Sequence, residues 1–271
     1  MENDNKTLSL SILSGKGGVG KTSMALNLAF GLYEMNQNTL LVDCDLGLAN
    51  LDVMLGISPE KSFHDILNLS SSIEESICKL EKKGLDLIPA ASGVTDIMVL
   101  DEDRQRMVVE KMNKSVGKYN YLIMDLGAGM SPTVLSFARM THRRIVVITP
   151  EPTSLTDAYA LIKVLYTRHD IKDFQILVNM AESEDEAVAG YERLRAACER
   201  FLDLPIEYIG FARRDPVVPE SVRRQKAFVR NAPDSPVSRD IRRILENLIK
   251  LREDNRTDLS AMSPLAHVQA S

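Results

Sequence analysis

The stretch SILSGKGGVGKTSMALNLAF, residues 11–30, sets four glycines and two lysines between an apolar run and an amphipathic one. Glycine has no Cβ, so its backbone reaches positive φ and lets N–H groups come close to a ligand. Two templates fit the loop. Gly15, Gly17 and Gly20 match the dinucleotide pattern G-x-G-x-x-G, and Asp43 follows about where such a site places its ribose-binding acid. Gly15, Gly20, Lys21 and Thr22 match G-x-x-x-x-G-K-[ST], whose backbone N–H groups cradle phosphates. The second match is the more demanding one. A triphosphate site needs the Lys21 cation at its β- and γ-phosphates and the Thr22 hydroxyl on Mg2+, whereas a nicotinamide site gains nothing from either. A helix running from Thr22 adds its positive end to the same anion.

Working outward, short apolar runs recur as LSLSIL (8–13), TLLVD (39–43), LDLIP (85–89), YLIMD (121–125), RIVVIT (144–149), FQILVN (174–179) and IEYIG (206–210). Segments of 3.6-residue apolar spacing lie between them, such as SLTDAYALIKVLYTRH and EDEAVAGYERLRAACERF. The alternation predicts an α/β fold of the P-loop NTPase type, a mainly parallel sheet of about seven or eight strands with helices on both faces. Ligands of such a sheet sit at the carboxyl ends of its strands, which is where the acids fall. Asp43 closes TLLVD with Asp45 two residues on, and Asp125 closes YLIMD before the flexible LGAG. Three acids at one sheet edge beside a phosphate loop suit a metal ion and an attacking water.

The 271 residues are 44% hydrophobic and 26% charged with a formal net charge of −5, an ordinary globular composition without a general nucleic-acid footprint. Cys44, Cys78 and Cys198 are scattered and lack CxxC spacing, which argues against a disulfide framework or a thiolate metal site and fits a reducing cytoplasm. No run approaches the roughly 18 apolar residues of a membrane span. One domain over residues 1–252 is expected, followed by a polar, flexible tail over 253–271. Charge is uneven: residues 213–243 hold nine basic side chains (Arg213, Arg214, Arg223, Arg224, Lys226, Arg230, Arg239, Arg242, Arg243) against four acids, read first as a solvated helical face and second as a phosphate-binding surface. Ile241, Ile244, Leu245, Leu248 and Ile249 form a helical stripe that either covers the sheet, the favoured reading, or lies on a membrane.

With Lys16 beside the expected lysine, SGKGGVGKT is similar to the deviant Walker A loop of the MinD/ParA family of dimerising ATPases. DCDLGLANLDVMLG resembles the family's first switch and DLGAG its second, and Asn179 in LVNMA falls where relatives place an adenine-contacting asparagine. LIPAASG (87–93), EPTSLTDAYALIKVL (151–165) and PESVRRQKAFV (219–229) most resemble the family's flagellar number and placement regulators, the FlhG or FleN branch. The resemblance runs from about residue 8 to about residue 250. It implies two ATP-bound subunits packed face to face, each ATP cradled by Gly15, Lys16, Gly17, Gly18, Val19, Gly20, Lys21, Thr22 and Ser23 with Asn179 at the base. Lys16 would reach the partner's phosphates in trans and Lys21 would act in cis. Asp45 would orient the water, and Thr22, Asp43 and Asp125 would hold Mg2+. It further implies slow hydrolysis until a partner stimulates it. The partners implied are the GTPase FlhF, a flagellar transcriptional activator or basal-body proteins, with peripheral contact at the membrane or pole when ATP is bound. DNA partitioning or division-site positioning, as in ParA or MinD, is the alternative role. Two features depart from the pattern: MENDNKT carries no FlhF-activating arm, and GFARRD (210–215) stands where relatives read V-I-P.

Overall fold

A computed structural model describes residues 6–45, 50–90 and 102–266. Leu46 to Ala49 of the first switch, the ASG of LIPAASG and the first five residues lie outside the described residues. The chain forms one sheet from β1 (Leu8–Leu13), β2 (Thr39–Cys44), β3 (Cys78–Lys79), β4 (Leu85–Ile88), β5 (Tyr121–Leu126), β6 (Arg143–Ile148), β7 (Phe174–Ala181) and β8 (Glu207–Arg213). The order across the sheet is β3-β4-β2-β5-β1-β6-β7-β8, and every pairing but the antiparallel β3–β4 is parallel. The seven expected strands are all present. The eighth, β3, is a two-residue edge piece too short to show a period.

The helices are α1 (Lys21–Glu34), α2 (Leu51–Leu55), α3 (Phe63–Leu67), α4 (Glu102–Val116), α5 (Pro132–Met140), α6 (Pro152–His169), α7 (Glu184–Leu202), α8 (Val217–Arg223), α9 (Phe228–Asn231), α10 (Pro236–Asp254) and α11 (Arg256–Ala261). Their starts are written locally. Ser131, Ser183 and Ser235 accept hydrogen bonds from Val134, Glu186 and Ser238 N–H, and Pro132, Pro152 and Pro236 occupy first turns where a missing N–H costs nothing. β1, β2 and β5 are buried along their whole length because helices cover both faces. On one face Leu40, Val42, Met124 and Ile148 pack with residues of α3 to α7. On the other, Leu41, Ile123 and Val147 pack with α1, α9 and α10.

The stripe on α10 faces inward. Ile241, Ile244, Leu245 and Leu248 are buried against the sheet and α1, and Gly31 of α1 leaves the space that Leu245 fills. This stripe covers the sheet and offers no apolar face to a lipid surface. Leu248→Ala is expected to lower the unfolding free energy by about 3 kcal/mol in urea, in a lipid-free buffer. An unchanged midpoint would show that the helix is not part of the core.

The expected flexible tail needs correction over residues 253–266. α10 continues to Asp254, and α11 follows at once, with Leu259 buried in the α1 and α10 core and Leu265 buried in the opposite one. The segment therefore wraps the amino edge of the sheet. Asn113 bonds the Leu265 backbone at both C=O (3.0 Å) and N–H (2.8 Å), Ala266 N–H donates to Met140 C=O (2.9 Å), and His142 Nε2 donates to Ser263 C=O (3.0 Å). Two leucines and backbone partners anchor it, which its polar composition conceals.

The His142 clasp makes stability pH-dependent. Its Nδ1 accepts from Ser9, so the ring is neutral, and burial pushes its pKa down to about 4. Between the ordinary histidine value of about 6.5 and that lowered value, the unfolded chain binds a proton the folded one does not, so stability falls as pH falls, by at most about 3 kcal/mol. Urea midpoints taken from pH 7.5 to pH 5 should decline more steeply for the wild type than for His142→Gln, and equal slopes would exclude the clasp as the cause.

Candidate nucleotide and magnesium site

The phosphate loop joins the carboxyl end of β1 to α1, and β1 lies between β5 and β6, where connections leave toward opposite halves of the sheet. Gly18 (φ +82°) and Gly20 (φ +84°) take left-handed backbone. Space beside the loop is asymmetric. Among the described residues a Cβ on Gly17 or Gly18 would meet nothing within 4 Å, which leaves room for a ligand on that side, whereas a Cβ on Gly15 would lie 2.3 Å from the Asp157 carbonyl carbon in α6. Gly20 caps α1 without a side chain, which leaves the leading N–H groups of that helix for an anion.

Lys21 is buried, with Nζ 2.7 Å from Asp125 Oδ1 and 3.4 Å from Thr22 Oγ1. Asp125 Oδ2 is buried and has no hydrogen-bond partner among the described residues. The strand register sets Asp43 beside Asp125. Asp43 Oδ1 accepts from Asp45 N–H (3.0 Å), and Oδ2 accepts from Asn50 (3.3 Å) and Leu51 (3.2 Å) at the start of α2. Burial, and then the Asp125 charge, push the Asp43 pKa up to about 7. Burial also raises that of Asp125, against the pull of Lys21. Two buried carboxyls with one lysine, one oxygen orphaned and the Thr22 hydroxyl adjacent, fit a divalent cation. Mg2+ takes few protein oxygens and shares the rest with phosphates and water, so a donor set this small is of the kind it would use.

The DLGAG segment runs out of β5, which lies between the strands that carry Asp43 and the phosphate loop. Gly129 (φ +88°) donates its N–H to Ser14 C=O at 2.9 Å, and Gly127 lies next to the Asp45 carboxylate. Asn179, at the end of β7, donates from Nδ2 to Val19 C=O (2.8 Å), and that same nitrogen is what a Cβ on Gly20 would strike, at 2.3 Å. GFARRD follows along β8, with Ala212 opposite Asn179, and Arg213 forks onto Asp240 at 2.6 and 2.7 Å. The sequence-predicted residues Gly15 to Ser23, Asp43, Asp45, Asp125 and Asn179 thus share one end of the sheet.

The Lys16 side chain turns from the loop to the start of α6. Its Nζ is 2.9 Å from Glu151 Oε2 and 2.9 Å from Thr153 Oγ1, at the rim where β6 turns into α6. Lys16 in turn holds the Glu151 carboxyl below its usual pKa. Sequence reasoning did not single out Glu151 and Thr153 as contacts of this lysine. The only signal was the EPTSL resemblance, because 135 residues separate the paired side chains.

Comparison with known proteins bears on the family and the fold. The NUBPL iron-transfer P-loop NTPase model, under the name ParA, matches residues 6–249. The chain belongs to the ParA/MinD family of P-loop NTPases. It is 34% identical to the antiactivator FleN of Pseudomonas aeruginosa over 84% of this chain and 81% of that protein. It is 32% identical to the flagellum site-determining protein YlxH of Helicobacter pylori over 95% of this chain and 87% of that one. Among solved structures, the septum site-determining protein MinD of Pyrococcus horikoshii complexed with Mg-ADP superposes with a TM-score of 0.73 at 26% identity, covering 90% of this chain and 97% of that one. Of the three thiols Cys44 and Cys198 are buried and Cys78 is half-buried. No helix among the described residues is long and apolar enough to cross a membrane.

Proposed function

We propose that this protein is an ATP-dependent dimerising switch that regulates flagellar number or placement, hydrolysing ATP to ADP and phosphate slowly until a partner stimulates it. One observation carries the reading: the loop holds two lysines with separate posts. Lys21 is buried against the metal-side acid of its own subunit, while Lys16 turns outward to the rim at Glu151 and Thr153. A second copy facing that rim would receive Lys16 at its own triphosphate. FleN, by its name, restrains an activator, and YlxH sets the site of a flagellum. That is why a flagellar transcriptional activator, a GTPase of the FlhF type and basal-body proteins are the partners proposed.

The mechanism asks little covalent chemistry of the chain. The loop N–H groups and the start of α1 bind the phosphates, and Lys21 shifts from Asp125 toward them. Thr22, Asp43 and Asp125 would hold Mg2+, which neutralises phosphate charge. Asp45, beside Gly127, orients the water, and Asn179 lies where it can turn from Val19 to a base. The γ-phosphate would order the two switch loops, favour the dimer and turn a partner face outward. The protein is cytoplasmic in this reading and reaches the membrane or pole when ATP-bound.

Chromatography of the wild-type protein should give a dimer with Mg-ATP and a monomer with ADP, and cells lacking the gene should change flagellar number or position. A monomer in both nucleotides would end the switch reading. The DNA-partitioning or division-site alternative predicts ATP-dependent retention on DNA or anionic vesicles. It is weakened because Arg213, Arg214, Arg224 and Arg230 pair with Asp240, Glu182, Glu220 and Glu81.

A further inference from the structure

On the α10 side of the sheet, away from the phosphate loop, a groove of about 460 Å³ runs between α1, the end of α2, the turn after β3 and the α8–α9 connection. Its floor is apolar, from Phe30, Leu55, Ile57, Leu80 and Ala227. Its charged rim is Lys226, Arg230 and Glu81, of which Arg230 and Glu81 are paired with each other, so Lys226 sets the sign. Exposed Lys82 and Lys83 follow Glu81 in the chain, and exposed Arg223 ends α8. Next to the groove, Val53 and Val222 expose 60% and 40% of their surface.

The groove is mechanically tied to the nucleotide site. The Asp43 carboxylate holds the first N–H groups of α2, and α2 is only five residues long. At its far end, Gln225 Nε2 donates to Val53 C=O at 2.8 Å, and a Cβ on Gly56 would strike the same Gln225 side chain at 2.6 Å. Gln225 adopts left-handed backbone (φ +54°), which costs a non-glycine residue about 1 kcal/mol or more and persists only where its surroundings enforce it. That strained residue faces Gly56, itself left-handed at φ +64°. Drawing Asp43 onto a cation competes with its hold on α2, and α2 passes the change to Gln225 and the groove wall.

We infer that this groove docks an acidic, apolar-faced helical segment of a partner protein, and that α2 and Gln225 make its occupancy depend on the nucleotide. The apolar floor takes alternate turns of such a helix, and the positive rim selects carboxylates on its polar face. A lipid surface fits a concave slot poorly. The inference rests on the ATP-switch reading for its nucleotide dependence and on the groove alone for its binding.

The test uses a panel of fluorescein-labelled, 15-residue amphipathic helices with leucine and phenylalanine on one face, half with glutamate and half with lysine on the other, titrated onto the full chain by anisotropy. The glutamate set should bind at micromolar to tens-of-micromolar levels, more weakly at high salt, and the lysine set should not. Lys226→Glu, at an exposed position, should weaken binding at least tenfold with an unchanged melting temperature, and Leu55→Ala at least threefold. Mg-ATP should shift the wild-type affinity at least fivefold in either direction, and Gln225→Ala should retain peptide binding but lose that shift. Equal binding of both peptide sets, or no effect of Lys226→Glu and Leu55→Ala, would overturn the docking site. So would retention on anionic vesicles through Lys226, or a dimer formed through the same residues. If the ATP dimer forms on chromatography while no peptide binds, the docking inference fails alone. If peptides bind and no ATP dimer forms, the switch reading fails and the groove stands.

Discussion

Lys16→Ala is expected to abolish the ATP-induced dimer and to lower kcat by about 10³-fold, the scale of a cation supplied across an interface. ATP affinity of the monomer should change less than about threefold, because the cis contacts come from Lys21, the loop backbone and the start of α1. The geometry explains the split. Lys16 leaves its own loop for Glu151 and Thr153, so its removal takes nothing from the phosphate cradle of the same subunit. If Asp45 orients the water, as proposed, Asp45→Ala should act in the opposite sense and trap the dimer, because the phosphates would still bind. Chromatography coupled to light scattering, with phosphate release assayed in parallel, checks both. A Lys16→Ala protein that dimerises like the wild type would sink the trans-lysine mechanism. Glu151→Ala is a useful contrast. The pair is solvent-exposed and weak, so freeing Lys16 should alter dimerisation only slightly.

Gly15→Ala is expected to destabilise the nucleotide-free protein by about 3 kcal/mol, at the upper end for overpacking, because the added methyl meets rigid backbone. The atoms in its way are the Asp157 carbonyl carbon and oxygen at 2.3 and 2.4 Å and the Ala158 nitrogen at 2.7 Å, all within α6. Either α6 or the phosphate loop must move, and ATP binding should fall by about 100-fold with it. Gly17→Ala separates the two effects. Its Cβ meets nothing within 4 Å among the described residues, so stability should hold within about 0.5 kcal/mol, while ATP affinity should drop if the methyl enters the proposed phosphate space. Urea unfolding and calorimetric ATP titration of both variants decide it. If Gly15→Ala is as stable as the wild type, the close approach of α6 to the loop is not real.

The strands and the phosphate loop were legible because their signals are local. A strand buried on both faces must be apolar throughout, and a backbone that wraps phosphates must be glycine-rich, so β1, β2, β5 and residues 15–22 declare themselves. The acids Asp43 and Asp125 were legible for the same reason, each closing a strand. β3 stayed hidden because two residues carry no period, and the docked C-terminal segment because two leucines in a polar stretch give no pattern.

By itself, then, the sequence determined the sheet, the loop and the set of residues at its carboxyl edge, since each follows from a short-range rule linking residue type to backbone. Only the tertiary structure decided where long side chains and amphipathic faces go. It turned Lys16 to Glu151 and Thr153, drew Lys21 to Asp125, hid the α10 stripe against α1, and joined Gln225 to α2 across 172 residues. Such pairings depend on which elements the fold brings together, and a stripe or a lysine has the same composition whichever neighbour it meets.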